Sequence, residues 1–595
     1  MFYILVCYNN VINCKGVHEM ENSVQMPFER NGRLIGRKFI EFFFPSVLMS
    51  ASISLSIIID SVIVGNVLGS DELGAMNLIM PLSLCFTAIS GMFGIGSATC
   101  ISMFKGKMDS TNADKSLTLS CIAWLVCSLA GVLLGLFAND AIAGFLSGSS
   151  GLDELVAQYL RVYLLGSPFT FVMLIFPHII KADGKPKLSS NVLIIANVIN
   201  LCLDVVYMKF MNMGLAGGAL ATITGYIAGS LLYIIYIKSK SRTLKLTKIK
   251  PADLRLYADM FKMSVSSIFG QGLMFAKMWI FNMIVAREAG QDGLAAFSVC
   301  TSCLSFVSMF IAGAAQTMMP MVGSFCGADD NTAISFTVKK ALKIIIGCCI
   351  VITVLFEIFP ETVLGFYGIK DGAVLQTGVV AVRLFSVALT GIGFSFMFMY
   401  YVQSYQMPSF SMQICALEGF VIIVPACIVL SRIFGEEGIW ISYTVNEILV
   451  ALFIFIKARY IVRKSGGKLY SIFMLKRSEG ETCETSVDVS DEAAVKAAVK
   501  AISEYADEHY PGSENTAETV RNIFELSRLA YREKTGLKKG DTVDVIISGG
   551  RITFKDMGTD YRLIASEEYT DRIKKLNKAY DNVLMIGMNY SSINI

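Results

Sequence analysis

The sequence predicts an all-α polytopic membrane protein: twelve transmembrane helices in two pseudo-symmetric six-helix bundles, followed by a C-terminal cytosolic α/β sandwich. Three observations carry that prediction. Of 595 residues, 54% are hydrophobic and only 17% charged, whereas soluble domains carry about a quarter charged residues. Twelve runs are long enough to span a bilayer, which takes roughly 20 mostly apolar residues. Finally, the first half of the apolar region resembles the second at a fixed spacing of 221 residues.

The charge is unevenly placed. Residues 476–595 hold 17 Lys+Arg and 21 Asp+Glu, a net of −4. The rest of the chain holds 34 and 27, a net of +7. Neither part shows the basic face that nucleic-acid binding requires. His18, His178 and His509 are too far apart in sequence to suggest a metal site. The fifteen cysteines are scattered; Cys300-Thr-Ser-Cys303 sits in an apolar run, where cysteine packs as a small hydrophobe.

Residues 1–36 read as a leader, expected to be disordered. It lacks a basic start and a cleavage site, and Met20 is the more natural beginning. The spans then fall near 39–66, 76–103, 117–138, 157–180, 190–210 and 215–237 in a first bundle over residues 37–240. A linker at 241–257 precedes a second bundle over 258–465, with spans near 258–287, 293–322, 337–358, 377–404, 411–431 and 437–459. Lysines and arginines gather in alternate loops, such as Lys105, Lys107 and Lys115, then Lys181, Lys185 and Lys187. The positive-inside rule therefore places both termini in the cytoplasm.

The repeat is specific. Ile63-Val64, Gly69, Asp71, Leu73 and Ala75 coincide with Ile284-Val285, Gly290, Asp292, Leu294 and Ala296. Gly106 and Asp109 match Gly327 and Asp330, and one step further on Arg161 matches Arg383 and Pro186 matches Pro408. Six helices per half give both halves the same orientation, a parallel repeat with a central cavity suited to alternating access.

A carboxylate at the bilayer centre costs about 2.5–3.5 kcal/mol, so such residues usually face a cavity and serve function. Asp60 lies inside the first span; Asn200 and Asp204 lie four apart, on one face of the fifth. Together they predict a cation-coupling site for H⁺ or Na⁺. Their repeat counterparts include Phe281 and Ala426, so the site is expected in one bundle only. The second bundle has its own unusual residues: Lys277, Glu418, Asn446 and Glu447. Glu418 and Lys277 could pair across that bundle, giving a possible second polar site.

The segments Asp60-Ser-Val-Ile-Val-Gly-Asn-Val-Leu-Gly, Asn200-Leu-Cys-Leu-Asp204 and Met213-Gly-Leu-Ala-Gly-Gly-Ala-Leu-Ala-Thr222 resemble those of multidrug and toxic compound extrusion (MATE) transporters. Lys181-Ala-Asp-Gly-Lys-Pro186 and Gly438-Ile-Trp-Ile-Ser442 add to the resemblance, which covers about residues 30–465. It implies cation-coupled export of small amphipathic, often cationic, organic compounds across the inner membrane of a bacterium, by a monomer without cofactor. It also implies that Asp60, Asn200 and Asp204 form the first-bundle cation site. Some members use acids in helices seven and ten as well; here those spans offer only Asp259, at an edge.

A linker at 466–482 leads to the tail, 483–595. Strands are expected at 484–489, 542–548, 551–556, 582–588 and 590–595. Helices are expected from 490 to 509 with Ser490 as N-cap, at 514–535, and at 566–579, with Pro511-Gly512-Ser513 breaking the chain. The order resembles the histidine-kinase-like ATPase fold in its anti-sigma-factor branch. Glu525, Asp556 and Gly558 occupy the places of that family's nucleotide box, while Leu529 replaces the Mg²⁺-binding Asn and Asp560 a glycine. The resemblance implies a degenerate domain that senses a nucleotide or a cytosolic protein partner and does not hydrolyse ATP. The chain as a whole is then a secondary transporter and not an enzyme. Two alternatives share parts of this plan: a flippase of lipid-linked precursors, and a membrane-tethered sensor that signals through the tail.

Overall fold

A computed structural model describes residues 29–148, 151–239, 242–288, 290–366, 373–477, 482–510, 515–564 and 567–595. Most of the expected leader (1–28), His18 and the expected break at 511–513 lie outside the described residues. The chain forms two compact units. One holds Gly36–Leu452 and Met585–Gly587; the other gathers residues up to Ile35, Phe453–Leu584 and Met588–Ile595.

The first bundle contains α1 (Arg33–Val67), α2 (Ser70–Gly106), α3 (Ser110–Phe137), α4 (Asn139–Ser147), α5 (Asp153–Leu165), α6 (Ser167–Ala182), α7 (Pro186–Asp204) and α8 (Gly214–Lys238). The second contains α9 (Arg255–Glu288), α10 (Gly290–Gly327), α11 (Asn331–Ile358), α12 (Pro360–Phe366), α13 (Ala373–Ser386), α14 (Leu389–Ser404), α15 (Pro408–Ala416), α16 (Ile423–Phe434) and α17 (Glu436–Lys464). The first helix opens at Arg33, four residues before the bundle start expected at 37.

Among the described residues nine helices are long and apolar enough to cross a membrane, or eleven if two bent pairs each count as one span. The remaining rod, α9, is 34 residues long. The bent pairs are the expected fourth and tenth spans, which are not continuous helices. α5 and α6 meet at 60°, and α13 and α14 at 42°. At the first bend, a side chain on Gly166 would come within 2.3 Å of Ile223. Pro168 follows in the first turn of α6, where its missing N–H costs nothing.

The repeat is structural as well as sequential. α3 and α11 begin and end 221 residues apart, and so do the starts of α4 and α12. Asp109 caps α3 by accepting from the Asn112 amide, and Asp330 caps α11 by accepting from the Ala333 amide. Pro186 and Pro408 open α7 and α15 in the same way. The bundles touch at the end that carries the lysine-rich loops. There α2 and α10 finish on the repeat-related pair Gly106 and Gly327, packed so closely that a Cβ on Gly106 would lie 2.0 Å from the Ser324 carbonyl. A Cβ on Gly327 would lie 2.1 Å from the Met103 carbonyl. Lys181 of α6 also reaches across to the Gln316 amide oxygen of α10, whose Nε2 donates to Ser50 Oγ at 3.3 Å.

The tail is a five-stranded sheet in the order β3-β4-β5-β7-β6, antiparallel across β3-β4-β5-β7. A two-strand ribbon, β1 (Leu469–Tyr470) with β2 (Leu475–Lys476), precedes it and was not expected. The sheet comprises β3 (Cys483–Asp488), β4 (Thr542–Ser548), β5 (Arg551–Asp556), β6 (Asp581–Met585) and β7 (Met588–Asn594). Its helices are α18 (Glu492–His509), α19 (Thr516–Thr535) and α20 (Glu567–Leu576). The N-cap of α18 is Asp491 and not Ser490: the Asp491 carboxylate accepts from Ala493, while Ser490 bonds back to Asp488. The core packs Val495, Ile502 and Phe524 of the helices against Val543, Val545 and Phe554 of the sheet.

Candidate cation-coupling site

Three expected residues come together in the first bundle. Asp204 and Asn200 are nearly inaccessible, at 2% and 3% exposure, on α7. Asp60 of α1 lies close enough to Asp204 for the two carboxyl groups to act on each other directly. One proton between two such groups would let them share a hydrogen bond. Among the described residues Asp60 Oδ1 is buried without a hydrogen-bond partner.

Asn200 organises the pair. Its Nδ2 donates to Asp204 Oδ2 at 3.1 Å and to Thr222 Oγ1 at 3.2 Å, and its Oδ1 accepts from Ser56 Oγ at 3.2 Å. Ser56 and Thr222 are site residues that the pattern of intramembrane charges did not single out. Ser56 was findable as the residue one turn before Asp60; Thr222 ends one of the motifs quoted above. Tyr159 and Tyr226 lie within electrostatic reach of Asp60 and complete the wall.

Local sequence explains why these groups meet. α8 carries a face of small residues: a Cβ on Gly225 would lie 2.4 Å from the Ala196 carbonyl and 3.3 Å from Asn200. Small residues let helices approach closely in a membrane, so α7 is drawn onto α8 and Asn200 onto Thr222. Directly after Asp204 the helix widens into a π-helical turn, Val205–Phe210. Such turns re-aim side chains and recur at functional sites.

The repeat counterpart of Asp60, Phe281, is fully buried and stacks on Phe297 at 6.1 Å and against Tyr443 at 5.2 Å. Aromatic rings thus fill the equivalent place. The acidic side chains of the second bundle meet elsewhere. Glu418 stands in a π-helical turn, Leu417–Val421, between α15 and α16. Asn446 Nδ2 donates to Glu418 Oε2 at 3.0 Å and to Glu447 Oε1 at 3.1 Å, and Ser395 Oγ donates to Glu447 Oε2 at 2.8 Å. The two glutamates lie close enough to act on each other directly. The expected Glu418–Lys277 pair does not form, because the π turn delivers Glu418 to α17. Lys277 stays half-buried on α9, near enough to act with Glu418 on Cys415. Among the described residues no group of three His, Cys, Asp or Glu side chains is placed to hold a metal ion.

In the tail, Asp556 and Gly558 lie together and Glu525 apart. Asp556 is 1% exposed and accepts from Ser527 Oγ at 3.0 Å, Asn589 Nδ2 at 2.9 Å, the Gly558 amide at 2.8 Å and the Tyr561 hydroxyl. Burial raises its carboxyl above the ordinary value despite these donors. Glu525 points outward and pairs with Arg528 at 3.1 Å.

Two repeat-related helical bundles, each with a pair of carboxyl groups set between membrane-spanning helices, define a polytopic membrane transporter fold. The chain belongs to the MatE family, whose profile matches residues 45–206 and 267–429. It is 24% identical over 387 residues to the multidrug export protein MepA of Staphylococcus saprophyticus, covering 64% of this chain and 84% of that one. It is also 24% identical over 430 residues to MepA of Staphylococcus haemolyticus, covering 70% and 92%. Among solved structures it resembles an outward-facing multidrug resistance MATE family transporter, with 20% identity, TM-score 0.67 and coverage of 74% and 99%. A MOP superfamily transporter from Pyrococcus furiosus matches with 19% identity, TM-score 0.67 and coverage of 74% and 100%.

Proposed function

We propose that this protein is a proton-coupled exporter of amphipathic organic compounds, working by alternating access in a bacterial inner membrane with both termini in the cytoplasm. The observation that carries the reading is the close approach of the Asp60 and Asp204 carboxyls, with Asn200 turning its NH₂ group, a donor, toward Asp204. One proton would let the two acids share a hydrogen bond. A Na⁺ site would instead collect oxygens around the ion. The names of the MepA relatives supply the substrate class. The Gly106–Gly327 contact fits a state closed on the lysine-rich, cytoplasmic side.

In this reading, protonation from outside neutralises the Asp60/Asp204 pair and lowers the cost of holding it in apolar surroundings. Deprotonation restores two like charges in one pocket and favours the alternative packing of α1 against α7. The test is export of a cationic dye from cells that express Asp60→Asn or Asp204→Asn. Both variants should reach the membrane at wild-type level and export nothing; normal export by both would overturn the site.

The tail reads as a non-catalytic domain. In the ATPase fold that the tail resembles, the aspartate of the nucleotide box binds adenine, but here Asp556 is committed to four internal donors, and Tyr561 lies against it. Calorimetry of the full-length protein with ATP and Mg²⁺ should therefore give no binding heat.

A further inference from the structure

The tail's sheet holds a buried cation that does not come from the tail. Arg30, in the short segment ahead of α1, has a side chain only 2% exposed. Its Nε donates to Asp544 Oδ2 at 3.1 Å, and its Nη1 donates to Glu484 Oε2 at 3.1 Å. Asp544 lies on β4, and its side chain is 0% exposed; Glu484 lies on the neighbouring β3. Next in the chain, the Asn31 amide donates to Ser486 Oγ at 3.2 Å, and Ser486 Oγ in turn donates to Asp544 Oδ1 at 2.7 Å. In the strand register Ser486 is directly opposite Asp544, so both lie on one face of the sheet.

From this we infer that the tail is a binding module whose ligand is the N-terminal arm of its own chain, residues 29–33, gripped through Arg30. The chemistry is selective. Asp544 is fully enclosed, and a buried carboxylate without a cation is strongly disfavoured. Arginine suits the place because its fork of donors can serve two acids at once, which lysine's single ammonium does less well. The grip also goes beyond charge: Ser486 links the arm's backbone to the same carboxylate. Since Arg33 opens the first spanning helix and the tail leaves the last, the clasp closes the chain into a loop that begins and ends at the membrane. It ties the start of the helix bearing Asp60 to the end of the helix bearing Glu447. This assigns the tail a partner that needs no nucleotide, and it does not depend on the exported compound or the coupling ion.

Hydrogen exchange on the full-length protein in detergent or nanodiscs tests this. In the wild type, amides of 30–33 should exchange slowly. Arg30→Ala should speed them about tenfold or more. The single variant strands Asp544 and could loosen the tail, so the double variant Arg30→Ala/Asp544→Asn removes both charges. It should still free the arm, while exchange in β4 and β5 stays within about twofold of wild type. Arg30→Lys should give intermediate protection. The inference is overturned if the arm exchanges freely in the wild type, or if the double variant leaves it as protected as before.

Discussion

Asp204 and Glu447 pose the same problem to the chain: an acid that water cannot reach. Both solve it with a second acid close by and an asparagine donor. The positions are not equivalent in the repeat, so the second pair is not a relic of the first. Glu447→Gln keeps a group able to bond Ser395 and Asn446 but removes the proton site. We expect it to slow export by about tenfold, equivalent to roughly 1.4 kcal/mol, whereas Asp204→Asn abolishes export. Initial efflux rates at matched expression check this. The acids themselves were visible in the sequence because charge is rare in apolar runs. Their partners were not: nothing in one dimension tells that Glu418 faces Asn446 rather than Lys277, since a π turn decides it. Another buried acid, Asp183, lies just outside the spans. Burial pushes the carboxyl of Asp183 up, but Lys105 at 2.6 Å, together with Thr243 and Tyr236, pulls it further down, to below the ordinary 3.8. A depressed acid stabilises the fold above its unfolded pKa and loses that contribution as pH falls through the folded value. Asp183→Asn should therefore lower the melting temperature at neutral pH. The gap from wild type should hold down to about pH 4 and then close as the pH falls further; a gap that does not change with pH would contradict the pairing.

At the scale of elements, the bundle helices were legible because twenty apolar residues have few other fates, and the repeat fixed how they group. The bends at Gly166 and near Ala388 were not, because a broken span and a straight one have the same hydropathy. Nor was the contact between the ends of α2 and α10, although Gly106 and Gly327 had already been matched as repeat mates. Their meaning is spatial: each glycine lacks a Cβ because the partner backbone occupies its place. Gly106→Leu or Gly327→Leu should keep this end from closing. The native Cys326, half-buried beside Gly327, reports on it. In inside-out vesicles an impermeant maleimide should label Cys326 several-fold faster in either variant than in the wild type, and export should fall with it. Unchanged labelling with normal export would mean that the two helices part and rejoin without needing that contact.

Over the whole molecule, the proposed coupling makes the two carboxyl pairs, the two bundles and the lysine-rich end parts of one cycle driven by a cation gradient. One inward charge gains about 2.3 kcal/mol per 100 mV, enough to bias a rocking equilibrium but not to load it irreversibly. The coupling ion then decides which gradient matters. Asp60 and Asp204 lie side by side, and Asn200 and Ser56 spend their polar atoms on each other, on Asp204 and on Thr222. That arrangement suits the proposed proton better than a metal ion, which would need oxygens gathered around it. Dye accumulation in everted vesicles separates the cases, because these expose the cytoplasmic side and can be given pH and Na⁺ gradients independently. Collapsing the pH gradient at constant Na⁺ should abolish accumulation. Collapsing the Na⁺ gradient at constant pH should leave it unchanged, and Asp204→Asn vesicles should respond to neither. The reverse dependence, with Na⁺ required and pH immaterial, would reassign the same residues to a sodium site and require Asn200 to present its carbonyl oxygen to the ion in place of its NH₂ group.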